Sequence, residues 1–217
     1  MNKHFTIFDM DGTLVDSMVF WKRLASEFLI SKGVNQIPDD ILERIKPMTM
    51  MESSALFIRE FGLSGTPESV ASEMNEMMDA HYRSDIPLKP GVAAYVKRLR
   101  ERGTTLCVAS ATAQPLMEAC LQRLGIAGDF AFLLSCEEVG CGKNRPDVYL
   151  EAARRLGADA ANIAVYEDAL YALKTAKDAG FYGVGIFDES QQCSWAEVQA
   201  TADEVIIDWN LAAQALN

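Results

Sequence analysis

A chain of 217 residues, 49% hydrophobic and 24% charged, has the makeup of a globular protein with a sizeable core, built as one large domain or as one domain carrying a smaller insert. Its net charge of −11 argues against a general nucleic-acid or anionic-membrane surface, yet leaves room for an anionic small molecule at a local positive site. No apolar run is long enough for a membrane span, and the N-terminus opens on a strand pattern, not a signal segment. The scattered thiols Cys107, Cys120, Cys136, Cys141 and Cys193, with only His4 and His81 as histidines, fit free cysteines in a reducing cytoplasm better than a zinc site.

In chain order, Phe5 to Phe8 reads as a short buried strand that runs straight into Asp9, Met10, Asp11, Gly12 and Thr13. Leu14-Val15-Asp16-Ser17 follows as a plausible helix start, and Trp21, Leu24, Phe28 and Leu29 recur at helical spacing up to Gly33. The helical pattern continues through Asp39 to Ile45, Met51 to Phe61 and Pro67 to Tyr82, with no convincing strand before Pro87-Leu88-Lys89-Pro90-Gly91 breaks it. From Val92 the pattern changes. A helix to about Arg102 is followed by a strand at Thr105 to Ala109, a helix from about Pro115 to Leu124, and a strand at Phe130 to Leu134. Then come a helix at Pro146 to Leu156, a strand at Ile163 to Tyr166, a helix at Leu170 to Ala179 and a strand at Tyr182 to Phe187. A short helix from Trp195 to Ala200 and a last strand from Glu204 to Ile207 complete the alternation. Strands alternating with helices imply parallel pairing, so the expected class is α/β with a doubly wound, mostly parallel sheet, interrupted after its first strand by an all-helical insert. The expected boundaries are residues 1–16 and 88–217 for the α/β domain and 17–87 for the helical cap, with hinges near Val15–Ser17 and Pro87–Gly91.

Ligands of an open α/β sheet bind beyond the carboxyl ends of its strands. Those ends carry Asp9 and Asp11, then Ser110 and Thr112, then Glu167 and Asp168, while Lys143 precedes the helix that begins at Pro146. Four carboxylates on one rim would repel one another and raise one another's pKa values, which a divalent cation relieves. A hard ion with oxygen ligands suits a site without cysteine or histidine, and that points to Mg²⁺. The set suits phosphoryl transfer: a carboxylate able to attack phosphorus, a lysine and metal to neutralise its oxygens, a serine with the backbone amides that follow it, and a second acid to protonate the leaving alkoxide. Taken singly, each of these residues is equally a strand-end cap or a solvated side chain, Glu167 more so than Asp168.

The motifs D-M-D-G-T with L-V-D-S after it, V-A-S-A-T at Val108 to Thr112, G-K-N-R-P-D at Gly142 to Asp147 and Y-E-D at Tyr166 to Asp168 occur in the order of a known family. The chain resembles the haloacid dehalogenase superfamily of aspartate-nucleophile phosphohydrolases over essentially its whole length, in the branch with a helical cap that holds β-phosphoglucomutase and phosphoglycolate phosphatase. The resemblance implies a Rossmann-like core and these roles: Asp9 as nucleophile and metal ligand; Asp11 as general acid and then base, its backbone carbonyl meeting the metal; Ser110, Ala111 and Lys143 as the phosphoryl-binding groups; Asp168, with Glu167 beside it, as metal ligands. An acid at position 11 separates the metal-dependent phosphatases from the dehalogenases. Ala169 and Ala172 stand where the family's fourth motif usually has serine and glycine, and Asn144 where its third usually has proline.

In the cap, Trp21 and Met50 occupy the places where β-phosphoglucomutases carry a histidine and a phosphate-gripping arginine. The expectation is therefore a phosphatase of a small phosphorylated metabolite; a sugar-phosphate mutase is the alternative, and a catalytically silent phosphate-binding protein a third. Trp21, Met48, Met50 and Met51 either line an apolar side of the substrate pocket or pack between cap helices. Arg23, Arg44, Lys46 or Arg59 would supply a cap cation.

Overall fold

A computed structural model describes residues 3–45, 48 and 50–216. Its strands are β1 (Phe5–Phe8), β2 (Thr105–Ser110), β3 (Leu133–Ser135), β4 (Ile163–Glu167), β5 (Tyr182–Ile186) and β6 (Glu204–Ile206). Its helices are α1 (Met18–Ser31), α2 (Asp39–Ile45), α3 (Met50–Phe61), α4 (Pro67–Ser84), α5 (Val92–Glu101), α6 (Gln114–Arg123), α7 (Cys136–Val139), α8 (Asp147–Leu156), α9 (Leu170–Asp178), α10 (Trp195–Thr201) and α11 (Trp209–Ala215). The chain divides into two compact units, Met1–Met18 with Ile86–Asn217, and Val19–Asp85. None of the described helices is long and apolar enough to cross a membrane.

The first unit is built on a six-stranded sheet in the order β3-β2-β1-β4-β5-β6, with every neighbouring pair parallel. Parallel neighbours need a long crossover, and helices supply it here. Both faces of such a sheet are covered, so its strands are apolar on both sides. Successive side chains alternate faces. Ile7, Cys107 and Val165 join Val148, Tyr149 and Ala152 of α8 in one buried cluster. On the other side Phe8 packs against Tyr166 at 4.4 Å, and Tyr166 stacks on Trp209 of α11, which meets Tyr95 of α5 at 5.0 Å. β1 is flanked on both sides, which sets its C-terminal end at the middle of the sheet.

Three local expectations are corrected. The apolar run from Phe130 is not strand throughout: a 3-10 turn at Ala127–Asp129 precedes it, and β3 begins only at Leu133. Phe130 is apolar because it packs edge-on against Phe8, at 6.1 Å, and an apolar run alone does not separate a buried turn from a strand. Two helices went unpredicted. The single-turn α7 is held by a capping box, in which Glu137 N–H donates to Ser135 Oγ and Ser135 N–H donates to Glu138 Oε1. At α11, Asp208 Oδ1 accepts from Asn210 and Leu211 N–H. Both caps are visible as short polar signatures, but the helices behind them are too brief to show a period.

The second unit consists of α1 to α4. Thr66 and Ser69 form a reciprocal cap at the start of α4, with Pro67 in its first turn. Leu24, Phe28, Phe57, Met74, Met78 and Tyr82 are buried in its core. Of the three methionines expected either to pack or to line a pocket, Met48 and Met50 are half-buried, while Met51 is 41% exposed and so is not a core residue. Arg44 pairs with Glu60 at 3.0 Å and with Asp40 at 3.5 Å, and Arg59 with Glu60 at 3.4 Å. Arg23 is exposed, and Lys46 lies outside the described residues.

Candidate active site

The sheet order turns at β1: the chain goes from β1 to β2 and β3 on one side, then starts again on the other side with β4. Such a switch point leaves a crevice at the carboxyl ends of the two strands. Phe8 pairs with Val108 of β2 and with Tyr166 of β4. Asp9 is therefore one step beyond β1 and level with Glu167, and its N–H still donates to the Tyr166 carbonyl at 3.0 Å. Asp168 follows at once. Carboxylate oxygens of Asp9, Glu167 and Asp168 all lie within 4.8 Å of one another. All three residues are buried, Asp9 at 6% exposure, Glu167 at 1% and Asp168 at 3%.

Lys143 enters this cluster from the loop between α7 and α8. Its ammonium donates to Asp9 Oδ1 and, at 2.6 Å, to Glu167 Oε1. Burial by itself would lower the pKa of this lysine, but Asp9 and Glu167 reverse that and hold it well above its usual value, so it stays a cation. Burial pushes the Asp9 carboxyl well up; Glu167, Asp168 and Asp11 add to this and Lys143 opposes it. Asp168 is pushed up to about 7 by burial first, then by Glu167 and Asp188, against Lys143 and Lys89.

Three carboxylates against one ammonium leave two negative charges uncompensated in a buried place when all are ionised. Buried charge without a partner is costly. A divalent cation with a preference for oxygen matches both the charge and the donor set. The backbone around the cluster is shaped to keep the third carboxylate there. Gly12 has φ +80°, and a Cβ on it would sit 2.5 Å from Asp168 Oδ2. Only glycine lets the chain turn that closely against the carboxylate. Next to it, Thr13 Oγ1 donates to Asp168 Oδ1 at 3.4 Å.

Asp11 has different company. Its carboxylate is held by hydroxyls: Ser17 donates to Oδ1 at 2.6 Å, and Thr112 at 2.6 Å and Ser110 at 3.5 Å donate to Oδ2. Ser110 Oγ in turn accepts from Thr112 N–H at 3.1 Å. One acid of the D-x-D pair thus faces acids and an ammonium, while the other faces hydroxyls. Ala111 is exposed just past the end of β2.

The residues expected at the site from the first unit, Asp9, Asp11, Ser110, Ala111, Lys143, Glu167 and Asp168, gather at the carboxyl ends of β1, β2 and β4. Trp21 and Met50 belong to the second unit. There the Trp21 indole N–H donates to Tyr82 O–H at 3.1 Å, and the Met50 carbonyl accepts from Ser53 and Ser54 hydroxyls. Sequence reasoning missed three participants. The buried Tyr149 donates its hydroxyl to Glu167 Oε1 at 2.7 Å. Lys89 donates to Asp188 Oδ2 at 2.6 Å and to the Phe187 carbonyl at 3.1 Å, just beyond β5. Ser17 holds Asp11, and its place in the L-V-D-S stretch was the one signal that could have found it.

Comparison with known proteins agrees in kind. The sequence model for haloacid dehalogenase-like hydrolases matches residues 6–180. Hexitol phosphatase B of Escherichia coli (strain K12) is 29% identical over 178 residues, which cover 80% of this chain and 78% of that protein. The beta-phosphoglucomutase of Bacillus subtilis (strain 168) is 28% identical over 193 residues, covering 83% of this chain and 81% of the relative. Among solved structures, CbbY from Rhodobacter sphaeroides in complex with phosphate superposes with a TM-score of 0.78 at 25% identity, covering 98% of this chain and 99% of that one.

Proposed function

Since the chain belongs to the haloacid dehalogenase-like hydrolases, we propose that it is a Mg²⁺-dependent phosphatase of small phosphorylated metabolites that works through an aspartyl phosphate on Asp9. The observation that carries this reading is the buried group of Asp9, Lys143, Glu167 and Asp168, with Asp11 held separately by hydroxyls. Asp9, Asp168, Glu167 and the Asp11 backbone carbonyl are the groups to hold the ion. When bound, the ion neutralises the phosphoryl oxygens and keeps the crowded carboxylates ionised.

An oxygen of Asp9 attacks phosphorus, the bond from phosphorus to the ester oxygen breaks, and that oxygen leaves with a proton from Asp11. Asp11, now a carboxylate, takes a proton from water, whose oxygen attacks the same phosphorus. The bond to Asp9 breaks and inorganic phosphate departs. The Lys143 ammonium faces the nucleophile throughout and offsets charge on the phosphoryl group, the main demand of phosphoryl transfer. The Ser110 hydroxyl, turned from its long 3.5 Å bond to Asp11, and the Ala111 N–H would hold a further phosphoryl oxygen. The likeness to hexitol phosphatase B favours a phosphorylated polyol or sugar as substrate.

A sugar-phosphate mutase is the second reading, favoured by the relative from Bacillus subtilis. A mutase must grip a second phosphate, which calls for a cation in the helical unit. Two of the expected cap cations, Arg44 and Arg59, are instead paired with acids of the same unit. The test is phosphate release from p-nitrophenyl phosphate. It is expected with Mg²⁺ and lost on chelation and in Asp9→Asn. Full activity of Asp9→Asn would overturn the mechanism, and conversion of a sugar phosphate into its phosphate isomer without net phosphate release would favour the mutase.

A further inference from the structure

Tyr149 is wholly buried, lies on α8, and belongs to none of the four motifs. Its ring faces two tasks at once. The ring packs near Phe181, at 6.1 Å, as part of the apolar cluster under the sheet. Its hydroxyl donates to Glu167 Oε1 at 2.7 Å, the same oxygen that accepts from the Lys143 ammonium at 2.6 Å. The Lys143 ammonium also lies 5.9 Å from the centre of the Tyr149 ring. A core tyrosine needs only some acceptor for its hydroxyl. This one takes the carboxylate oxygen on which the site's lysine is anchored.

We propose that Tyr149 is a positioning residue for the metal and phosphoryl site, acting through Glu167 and Lys143. The inference rests on the reading of Asp9, Glu167 and Asp168 as a cation site. Two donors on one oxygen fix the rotation of the Glu167 carboxylate. That carboxylate lies on β4, and α8 packs against the sheet it ends, so the hydroxyl ties a helix to the rim. Oε1 is then committed to protein donors, and Oε2 is the oxygen that Glu167 retains for a cation or its bound water. The same contact sets where the Lys143 ammonium stands relative to Asp9. Without the hydroxyl, Glu167 keeps only Lys143 on Oε1, and the carboxylate and the ammonium can swing together away from Asp9. Partners that orient metal ligands in this manner typically change metal affinity or activity about 10- to 100-fold when removed.

Tyr149→Phe keeps the ring and removes only the oxygen. Binding of Mg²⁺ alone to the purified protein, by calorimetry, and the Mg²⁺ half-saturation of phosphate release should both weaken about tenfold. At saturating Mg²⁺, kcat should fall by more than the substrate KM rises, because the hydroxyl touches no substrate and reaches the phosphoryl group only through the Lys143 ammonium. The double variant Tyr149→Phe with Glu167→Gln should bind Mg²⁺ no more weakly than Glu167→Gln alone, since the first residue acts only through the second. Mg²⁺ affinity of Tyr149→Phe within about twofold of wild type, or additive losses in the double variant, would overturn the inference. A Tyr149→Phe protein that does not fold would overturn it too, since the hydroxyl would then serve the fold and not the site. If the wild type itself neither binds Mg²⁺ nor releases phosphate, the underlying reading fails instead.

Discussion

The two units handle charge in opposite ways. In the first, the buried charged residues are Asp9, Lys143, Glu167, Asp168 and Asp188, and each lies at or just beyond the carboxyl end of a strand or in the loop that faces it. In the second, the buried polar residues among those described are only Ser53 and Ser54, both turned back onto the Met50 carbonyl, while the ion pairs stay at the surface. A buried charge is kept only where something offsets its desolvation. The contrast therefore separates the unit proposed to carry the chemistry from the one whose ion pairs stay solvated.

The sharpest way to break the contrast is to remove its central cation. Lys143→Met leaves Asp9 and Glu167 buried without their ammonium, and breaking such a pair costs about 3–5 kcal/mol. Turnover at saturating Mg²⁺ should fall at least about a hundredfold, as for other groups that offset transition-state charge. Denaturant melts and phosphate release check the two effects separately.

Lys89→Met should come next, at about 3 kcal/mol, because it strands Asp188, whose side chain is 6% exposed. Adding Asp188→Asn should return part of that loss in the same melts. Gly12→Ala forces a Cβ into Asp168 and a left-handed backbone on alanine, for about 1–3 kcal/mol of strain. Its clearer mark should be weaker Mg²⁺ binding by calorimetry, since Asp168 must move.

A pH series sharpens the comparison further. The Asp168 carboxyl is raised to about 7 in the folded chain without metal, from 3.8. Between those values the folded state binds more protons than the unfolded one. Its contribution to metal-free stability is thus greatest at low pH and declines as pH rises through that window. Mg²⁺ selects the ionised form, so the increase in melting temperature on adding Mg²⁺ should grow from about pH 5 to about pH 8. A flat response would count against Asp168 as a ligand. The smallest effect is expected in the second unit: Arg44→Met, at a side chain 40% exposed, should leave the denaturant midpoint and phosphate release unchanged.

Much of the first unit was legible because periodicity and motif agree there. The alternation of apolar strands with helices gave the parallel sheet, and the strand ends carried the acids in plain view. Lys143 could be placed because it precedes a helix in a recognisable run. Tyr149, by contrast, reads as an ordinary apolar-face position of α8, and nothing in its neighbours announces a hydroxyl aimed at Glu167. Lys89 and Asp188 are 99 residues apart in sequence and meet only because β5 ends beside the segment that follows Pro87. Long-range polar pairs of this kind have no period. The second unit showed its helices through their spacing, yet Met51 turned out exposed, since a stripe of methionines gives no direction of its own.

The proposal that Asp9 accepts the phosphoryl group is tested most directly by acid-quenching the enzyme during turnover of a phosphate ester with Mg²⁺ and mapping the modified peptide by mass. The expected result is one phosphoryl group on the peptide that contains Asp9, at its aspartyl side chain, and none in Asp9→Asn. A phosphoryl group trapped on Ser110, Thr112 or any other residue, with Asp9 unmodified, would contradict it.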